Sequence, residues 1–340
     1  MKILITGGLG FLGSNLAQEG MKRGHNVVVL DNFSKEGTRQ NLEWLSTQGK
    51  FTLEEKDVRH AQQVEDCVKK HAPDAIFHTA GQVAMTTSIS NPRLDFETNA
   101  LGTLNVLEAT RKFAHSAVVI YSSTNKVYGD FDNIKYIEEK TRYSAVEYLD
   151  GFDEKMPLEF HSPYGCSKGA ADQYLLDYHR IYGIKSIVFR HSSMYGSRQF
   201  ATADQGWVGW FVDCALKIKA GKASGMEISG TGKQVRDLLY ASDMTDLYFT
   251  AAEKPARCSG EAYNIGGGMK NSMSLLELFT FLENRLGIKI NVSKKDWRVS
   301  DQKVFVADIG KIKKAIGWAP KVSKEEGLEK MIGWCGQIGR

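Results

Sequence analysis

The chain has 340 residues, 42% hydrophobic and 25% charged, with a formal net charge of +4. That is an ordinary globular composition, long enough to bury a large core without staples. The dispersed Lys and Arg argue against a nucleic-acid partner, and no apolar run approaches the roughly 20 residues of a membrane span.

The first element is a strand over Lys2–Thr6. Its apolar run is too short for a secretory leader. A glycine turn and a helix near Gly10–Arg23 follow. Further strands are expected at Asn26–Asp31, Phe51–Asp57, Asp74–Thr79, Ala117–Ser122 and Ser186–His191. Amphipathic helical patterns near Ala61–His71, Phe96–Phe113 and Pro163–Tyr182 alternate with them. This alternation predicts an α/β fold, a doubly wound parallel Rossmann sheet with a smaller mixed α/β substrate-binding region. The rhythm weakens after residue 192, where helices are expected at Ser274–Leu286 and Lys324–Cys335. Residues 1–190, with roughly 235–265, form the expected NAD-binding unit. Roughly 191–234 and 266–340 form the substrate-binding unit. The polar stretch Asp130–Ser162 has no period and reads equally as a substrate-side lid or a solvated insertion.

Five cysteines are present: Cys67, Cys166, Cys214, Cys258 and Cys335. Their odd number and wide spacing suit reduced thiols in a cytoplasmic protein. His78, His161 and His191 lack metal-ligand spacing, so no metal is expected.

Thr6-Gly7-Gly8-Leu9-Gly10-Phe11-Leu12-Gly13 lies between a strand and a helix. Glycines there allow a tight turn and close backbone approach to a pyrophosphate, which the free N–H groups of the helix start can bind. Asp31 ends the next strand, 18 residues past Gly13. A carboxylate there accepts from ribose hydroxyls and repels a 2′-phosphate, which points to NAD rather than NADP. Asp57 reads equally as an adenine contact or a helix cap.

Tyr164-Gly165-Cys166-Ser167-Lys168 has the spacing Y-x-x-x-K at the start of a long helical pattern. Tyr136 and Lys140 share the spacing but sit in the irregular loop. One helical turn puts Tyr164 and Lys168 on one face. A phenol titrates near 10 and is a poor base at neutral pH. A nearby ammonium, together with the positive nicotinamide ring, is expected to lower that value, so that Tyr164 can exchange a proton with a substrate hydroxyl. Thr124, after the strand Ala117–Ser122, is placed to orient the reacting oxygen.

Together these residues resemble the extended short-chain dehydrogenase/reductases of the NAD-dependent epimerase/dehydratase family, over essentially the whole chain. The likeness extends through His78-Thr79-Ala80-Gly81, Asn99-Ala100-Leu101-Gly102-Thr103, Arg236-Asp237-Leu238-Leu239-Tyr240 and Asn264-Ile265-Gly266-Gly267. Gly81–Ser88, Ser123–Gly129, His161–Lys168 and Arg190–Gly196 through Trp210 are most similar to the family's epimerases acting at C2 of a CDP-sugar.

The resemblance implies catalytic roles for Thr124, Tyr164 and Lys168. It implies NAD contacts from Gly7, Gly10, Phe11, Leu12, Asp31, Asn32, Ser34, Asp57, Val58, Ala80, Gly81, Gln82, Asn99, Tyr164, Lys168 and His191. It implies nucleotide-sugar contacts from Met85, Thr124, Ser193, Val208, Arg236, Arg298 and Asp301. Ser193 stands where many relatives carry asparagine, and Asn125-Lys126 stand where dehydratases carry an acidic pair. The expected activity is redox-neutral C2 epimerisation with tightly held NAD. Epimerisation at C4, or of a gluco/manno pair on another nucleotide, is the alternative. A homodimer or higher homo-oligomer is expected, as in relatives.

Overall fold

The protein is described from a computed structural model that covers residues 1–338. Seven strands form one sheet in the order Glu261–Ile265, Lys185–His191, Val118–Thr124, Ala75–His78, Lys2–Thr6, Asn26–Asp31 and Thr52–Glu55. Every pairing in it is parallel. The five inner strands are rich in aliphatic residues and buried on both faces, as a sheet covered by helices on two sides requires. Side chains alternate between two layers. Ile3, Ile5, Val27, Val29, Phe77, Ile120 and Phe189 pack with the helices Phe11–Lys22 and Ala241–Glu253. Leu4, Val28, Leu30, Ile76 and Val119 pack with Ala61–His71, Gly102–Phe113 and Ser162–Tyr182.

From Lys2–Thr6 the chain builds outward to Thr52–Glu55, then returns to Ala75–His78 on the other side. This reversal opens a crevice at the carboxyl ends of the central strands, where such sheets bind ligands.

The smaller region holds Ser272–Ser274, Val235–Tyr240 and Val304–Phe305, with Ser193–Tyr195 pairing Val235–Tyr240. A separate parallel pair joins Met226–Ser229 to Val292–Lys295. The helices Trp207–Lys219, Leu275–Leu286 and Lys324–Gln337 close over them in a second apolar core. Ser274 and Glu277 form a capping box that starts the Leu275 helix, and Gly287, with φ 68°, stops it.

The expected parallel sheet is present, with one more strand than expected. Glu261–Ile265 is short and polar at Glu261 and Asn264, so nothing in its sequence marks it as interior. The helices Thr38–Ser46, Trp207–Lys219 and Ala241–Glu253 are also additional to those expected. The pattern at Phe96–Phe113 is broken: a short helix Pro92–Phe96 and a π-turn Glu97–Leu101 precede Gly102–Phe113.

Residues 130–162 are not a solvated insertion. Phe131, Tyr143, Ala145 and Phe152 are buried against Val304–Ala307. The Phe131 and Phe152 rings stack at 4.4 Å, and Phe152 N–H donates to the Val306 carbonyl at 2.8 Å. Polar residues at the tips mask this apolar spine in the sequence.

Candidate active site

The glycine turn sits at the crevice. Gly7 adopts φ +66°, and a Cβ there would lie 2.7 Å from the Ala80 backbone. A Cβ on Gly13 would lie 2.2 Å from the Gly7 carbonyl oxygen. Only glycine permits this packing. The helix Phe11–Lys22 starts with no side-chain cap, so its first N–H groups remain available to an anion. A cleft of about 320 Å³ runs from this turn past Asp31, Asn32, Ser34, Val58, Ala80 and Gly81 to Ser122. Met194, Arg198, Gln199, Phe200, Thr202 and Gln205 also line it; they lie in or between the stretches that carry the family resemblance but were not among the expected cofactor contacts.

Asp31 is aimed by backbone: its carboxylate accepts from the N–H groups of Leu9 and Phe33, both at 2.9 Å. Burial pushes its pKa up, against those hydrogen bonds. Asp57 is otherwise engaged. It accepts from Asn32 at 2.8 Å and from the Arg59 guanidinium at 2.7 Å. Burial opposes its ionisation, but these hydrogen bonds prevail and bring it down to about 2. Gln82 and Asn99 lie behind the cleft, hydrogen-bonded to each other and to Asp95. His191 is buried, its Nε2 is 3.1 Å from the Tyr248 hydroxyl, and its Nδ1 has no partner.

The strand Val118–Thr124 and the helix Ser162–Tyr182 bring Thr124 and Tyr164 together. The Thr124 hydroxyl acts on the phenol and favours its ionised form. The Lys126 N–H donates to Thr124 Oγ1 at 3.2 Å, which fixes that hydroxyl over the short turn Asn125–Tyr128. Lys168 Nζ donates to the Ser122 carbonyl at 2.8 Å and lies 4.6 Å from the Tyr121 ring centre. Burial pushes Tyr164 up to about 12, against the effect of the Thr124 hydroxyl; the expected lowering calls for the nicotinamide charge as well as the ammonium. Burial takes Lys168 down to about 7, with Asp95 opposing the shift and Lys35 adding to it. In a closed apolar site the cost of each charge exceeds what the other returns.

Thr124 and Tyr164 face a second cavity of about 710 Å³. Val83 lines both cavities. The second one carries a small excess of positive charge, Lys126, Arg236, Lys295 and Arg298 against Asp204, Glu227 and Asp301, with Trp207, Trp210 and Phe211 in its wall. Arg236 donates to Asp301 at 2.7 Å, and Arg298 donates to the Ala203 carbonyl at 2.8 Å. Ser193 also lines it and accepts from the Trp207 indole at 2.9 Å. Met85 and Val208 are not in its lining; Val208 is buried in the core of the smaller region.

Gly7, Gly10, Asp31 and the uncapped helix start therefore fit a dinucleotide, and the second cavity, with Arg236 and Arg298, fits a phosphorylated second ligand. A family profile described as GDP-mannose 4,6 dehydratase matches residues 4–331. The chain is 56% identical over 338 residues to the CDP-paratose 2-epimerase of Salmonella typhi, covering 99% of this chain and 100% of that one. It also superposes on UDP-glucose 4-epimerase of Thermotoga maritima, solved with UDP-glucose, with TM-score 0.84, 29% identity and complete coverage of both chains. The UDP-glucose 4-epimerase of Thermus thermophilus, solved with NAD, gives TM-score 0.82 and 28% identity over 99% of each chain. The chain is an enzyme and belongs to the GDP-mannose 4,6 dehydratase family, within the NAD-dependent epimerases and dehydratases.

Proposed function

We propose that this enzyme inverts C2 of a nucleotide sugar, converting CDP-paratose to CDP-tyvelose. The observation that carries this reading is the 56% identity, end to end, with a CDP-paratose 2-epimerase. NAD is the cofactor, and when bound it supplies a hydride acceptor and donor. The glycine turn, Asp31, Asn32, Ser34, Val58, Ala80 and Gly81 hold it.

Epimerisation needs a proton taken from the C2 hydroxyl and returned to the C2 oxygen after the sugar has turned its other face. Tyr164 Oη moves that proton, and Thr124 Oγ1 orients the oxygen. The phenol stays protonated in the closed site and yields its proton only when positive charge joins it in the cleft. Arg236 and Arg298 grip the diphosphate while the sugar turns, because a guanidinium fork pairs with phosphate oxygens. Asn125 and Lys126 supply no acid for dehydration. Asn125 donates to Gln302 at 2.7 Å and Lys126 to the Ser300 carbonyl at 2.6 Å.

Residues 1–190 with 235–265 would carry the cofactor, and 191–234 with 266–340 the sugar nucleotide. The second cavity takes Thr124, Tyr164 and Arg236 from the first of these portions and Ser193, Arg298 and Asp301 from the other. Tyr174, Ile181, Tyr182, Phe96 and Phe113 leave large apolar surface exposed on or beside two helices of one layer, which supports a homodimer through that face. Light scattering reads that state directly. No helix among the described residues is long and apolar enough to cross a membrane, and the free thiols fit a cytoplasmic enzyme.

The test is incubation with CDP-paratose and NMR of the product, with released cofactor identified after denaturation. Inversion at C2 without net NADH is the expected result. Inversion at C4 only, on UDP- or GDP-sugars, overturns the reading.

A further inference from the structure

Behind Lys168 lies a carboxylate to which no established role belongs. Asp95 is completely buried and sits on the short helix Pro92–Phe96. Three side chains surround it. Gln82 Nε2 donates to Oδ1 at 2.8 Å, Asn99 Nδ2 donates to Oδ1 at 3.2 Å, and the Ser167 hydroxyl donates to Oδ2.

Backbone contacts fix the orientation of both amides. Gln82 Oε1 accepts from the Ala84 N–H at 2.6 Å, and Asn99 Oδ1 accepts from the Gln82 N–H at 3.0 Å. Their NH₂ groups must therefore face Asp95. Asn99 also donates to Ser167 Oγ at 3.1 Å, and that hydroxyl has Asp95 Oδ2 and the Tyr164 carbonyl, the latter at 3.2 Å, as acceptors. Donors converging on both oxygens suit a carboxylate. Among the described residues, no lysine, arginine or histidine makes an ion pair with it. A buried charge without a counter-ion is costly unless it serves a neighbouring charge.

That neighbour is Lys168. It follows Ser167 directly, and its Nζ stands beside Asn99: a Cβ built on Gly81 would lie 3.0 Å from Asn99 Oδ1 and 3.1 Å from Lys168 Nζ. The carboxylate, the Asn99 amide that donates to it and the ammonium thus belong to one buried cluster.

We propose that Asp95 is a positioning residue for the reaction assigned above: the fixed counter-charge that keeps Lys168 protonated, held by Asn99 and tied to the Tyr164–Lys168 helix through Ser167. The arrangement matters. A direct ion pair would pull Lys168 away from the cleft, whereas a carboxylate held by other donors sustains the ammonium and leaves its Nζ on the Ser122 carbonyl. The other groups that act on Lys168 or feel it are Lys35, His78 and His191, with the ring of Tyr121 beside it. Desolvation pushes both histidines down to about 3, so they bring no competing charge at neutral pH.

The inference rests on the epimerase reading, so its test includes a measurement that needs no substrate. In the NAD-loaded enzyme with lysine-selective 13C labelling, the Lys168 Cε shift is followed against pH, with Lys168→Arg assigning the signal. In Asp95→Asn the ammonium is expected to titrate about half to one pH unit lower, and the alkaline limb of kcat on CDP-paratose moves down with it. Ser167→Ala removes a hydrogen bond but no charge, and is expected to leave the midpoint in place. Asp95→Glu, if folded, restores it. Should Asp95→Asn not fold, Asp95→Ser removes the same charge from a smaller side chain. A neutral variant that folds and keeps the wild-type Lys168 midpoint overturns the proposal. A wild-type enzyme inert on every nucleotide sugar sinks the epimerase reading and leaves the Lys168 titration standing.

Discussion

The two cavities that meet at Thr124 and Tyr164 are built by different means. The cofactor cleft is made largely of backbone: glycines at 7, 10, 13 and 81, an uncapped helix start, and residues at the ends of adjacent strands. The substrate cavity is made of side chains borrowed from separate segments between Val83 and Asp301. A site built from backbone leaves spaced glycines in the sequence, because close approach excludes a Cβ. A site built from side chains leaves no spacing at all, since its residues become neighbours only through tertiary packing.

Three measurements sharpen or break this contrast. The largest effect belongs to the shared boundary. Tyr164→Phe is expected to lower kcat by about 10²–10⁴-fold while bound NAD stays at wild-type level. Near-normal turnover would remove the phenol from the chemistry. A smaller effect is expected on the substrate side, where Arg236→Ala should raise KM for the nucleotide sugar about 10–100-fold with cofactor content unchanged. If NAD is lost as well, the two cavities are not separable, and the contrast fails.

The smallest effect concerns the layer beneath the cofactor cleft. His78 hydrogen-bonds to Thr6 and Thr103 and is fully buried, and burial pushes it and His191 down to about 3. The unfolded chain binds protons at these rings below about pH 6.5, and the folded chain does not. Stability is therefore complete above that value and is lost as pH falls from 6.5 towards 3. Each ring costs about 1.4 kcal/mol for the first unit. Melting curves between pH 7 and pH 5.5 should show a smaller loss in His191→Gln than in wild type; equal losses would deny His191 this role.

The legible part of the sequence follows the same division. Strand periodicity located six of the seven sheet strands, and the glycine spacing located the cleft. The Y-x-x-x-K spacing became meaningful only through its place at a helix start. Glu261–Ile265 was hidden because an edge strand of five residues with Glu261 and Asn264 carries no run of apolar residues. Lys295 was hidden because its place in the cavity depends on what the fold brings beside it. Asp57 drew notice as a possible adenine contact, yet its carboxylate is occupied by Arg59 and Asn32. Sequence gives the proximity of Tyr164 and Lys168 along a helix but not the desolvation that raises the phenol and lowers the ammonium.

The late strand Glu261–Ile265 also governs how the molecule can be made. It lies against Lys185–His191, whose register runs Ile187 to Glu261 through His191 to Ile265. A ribosome that has finished residue 191 has produced six strands of the sheet but must still deliver some 70 residues before the seventh arrives. Until then the Lys185–His191 edge offers its unpaired N–H and C=O groups to any passing chain. The cofactor-binding half is thus contiguous in appearance only. Cut after residue 191, it would present a sticky margin, and the natural protector of that margin is the enzyme's own distant C-terminal portion.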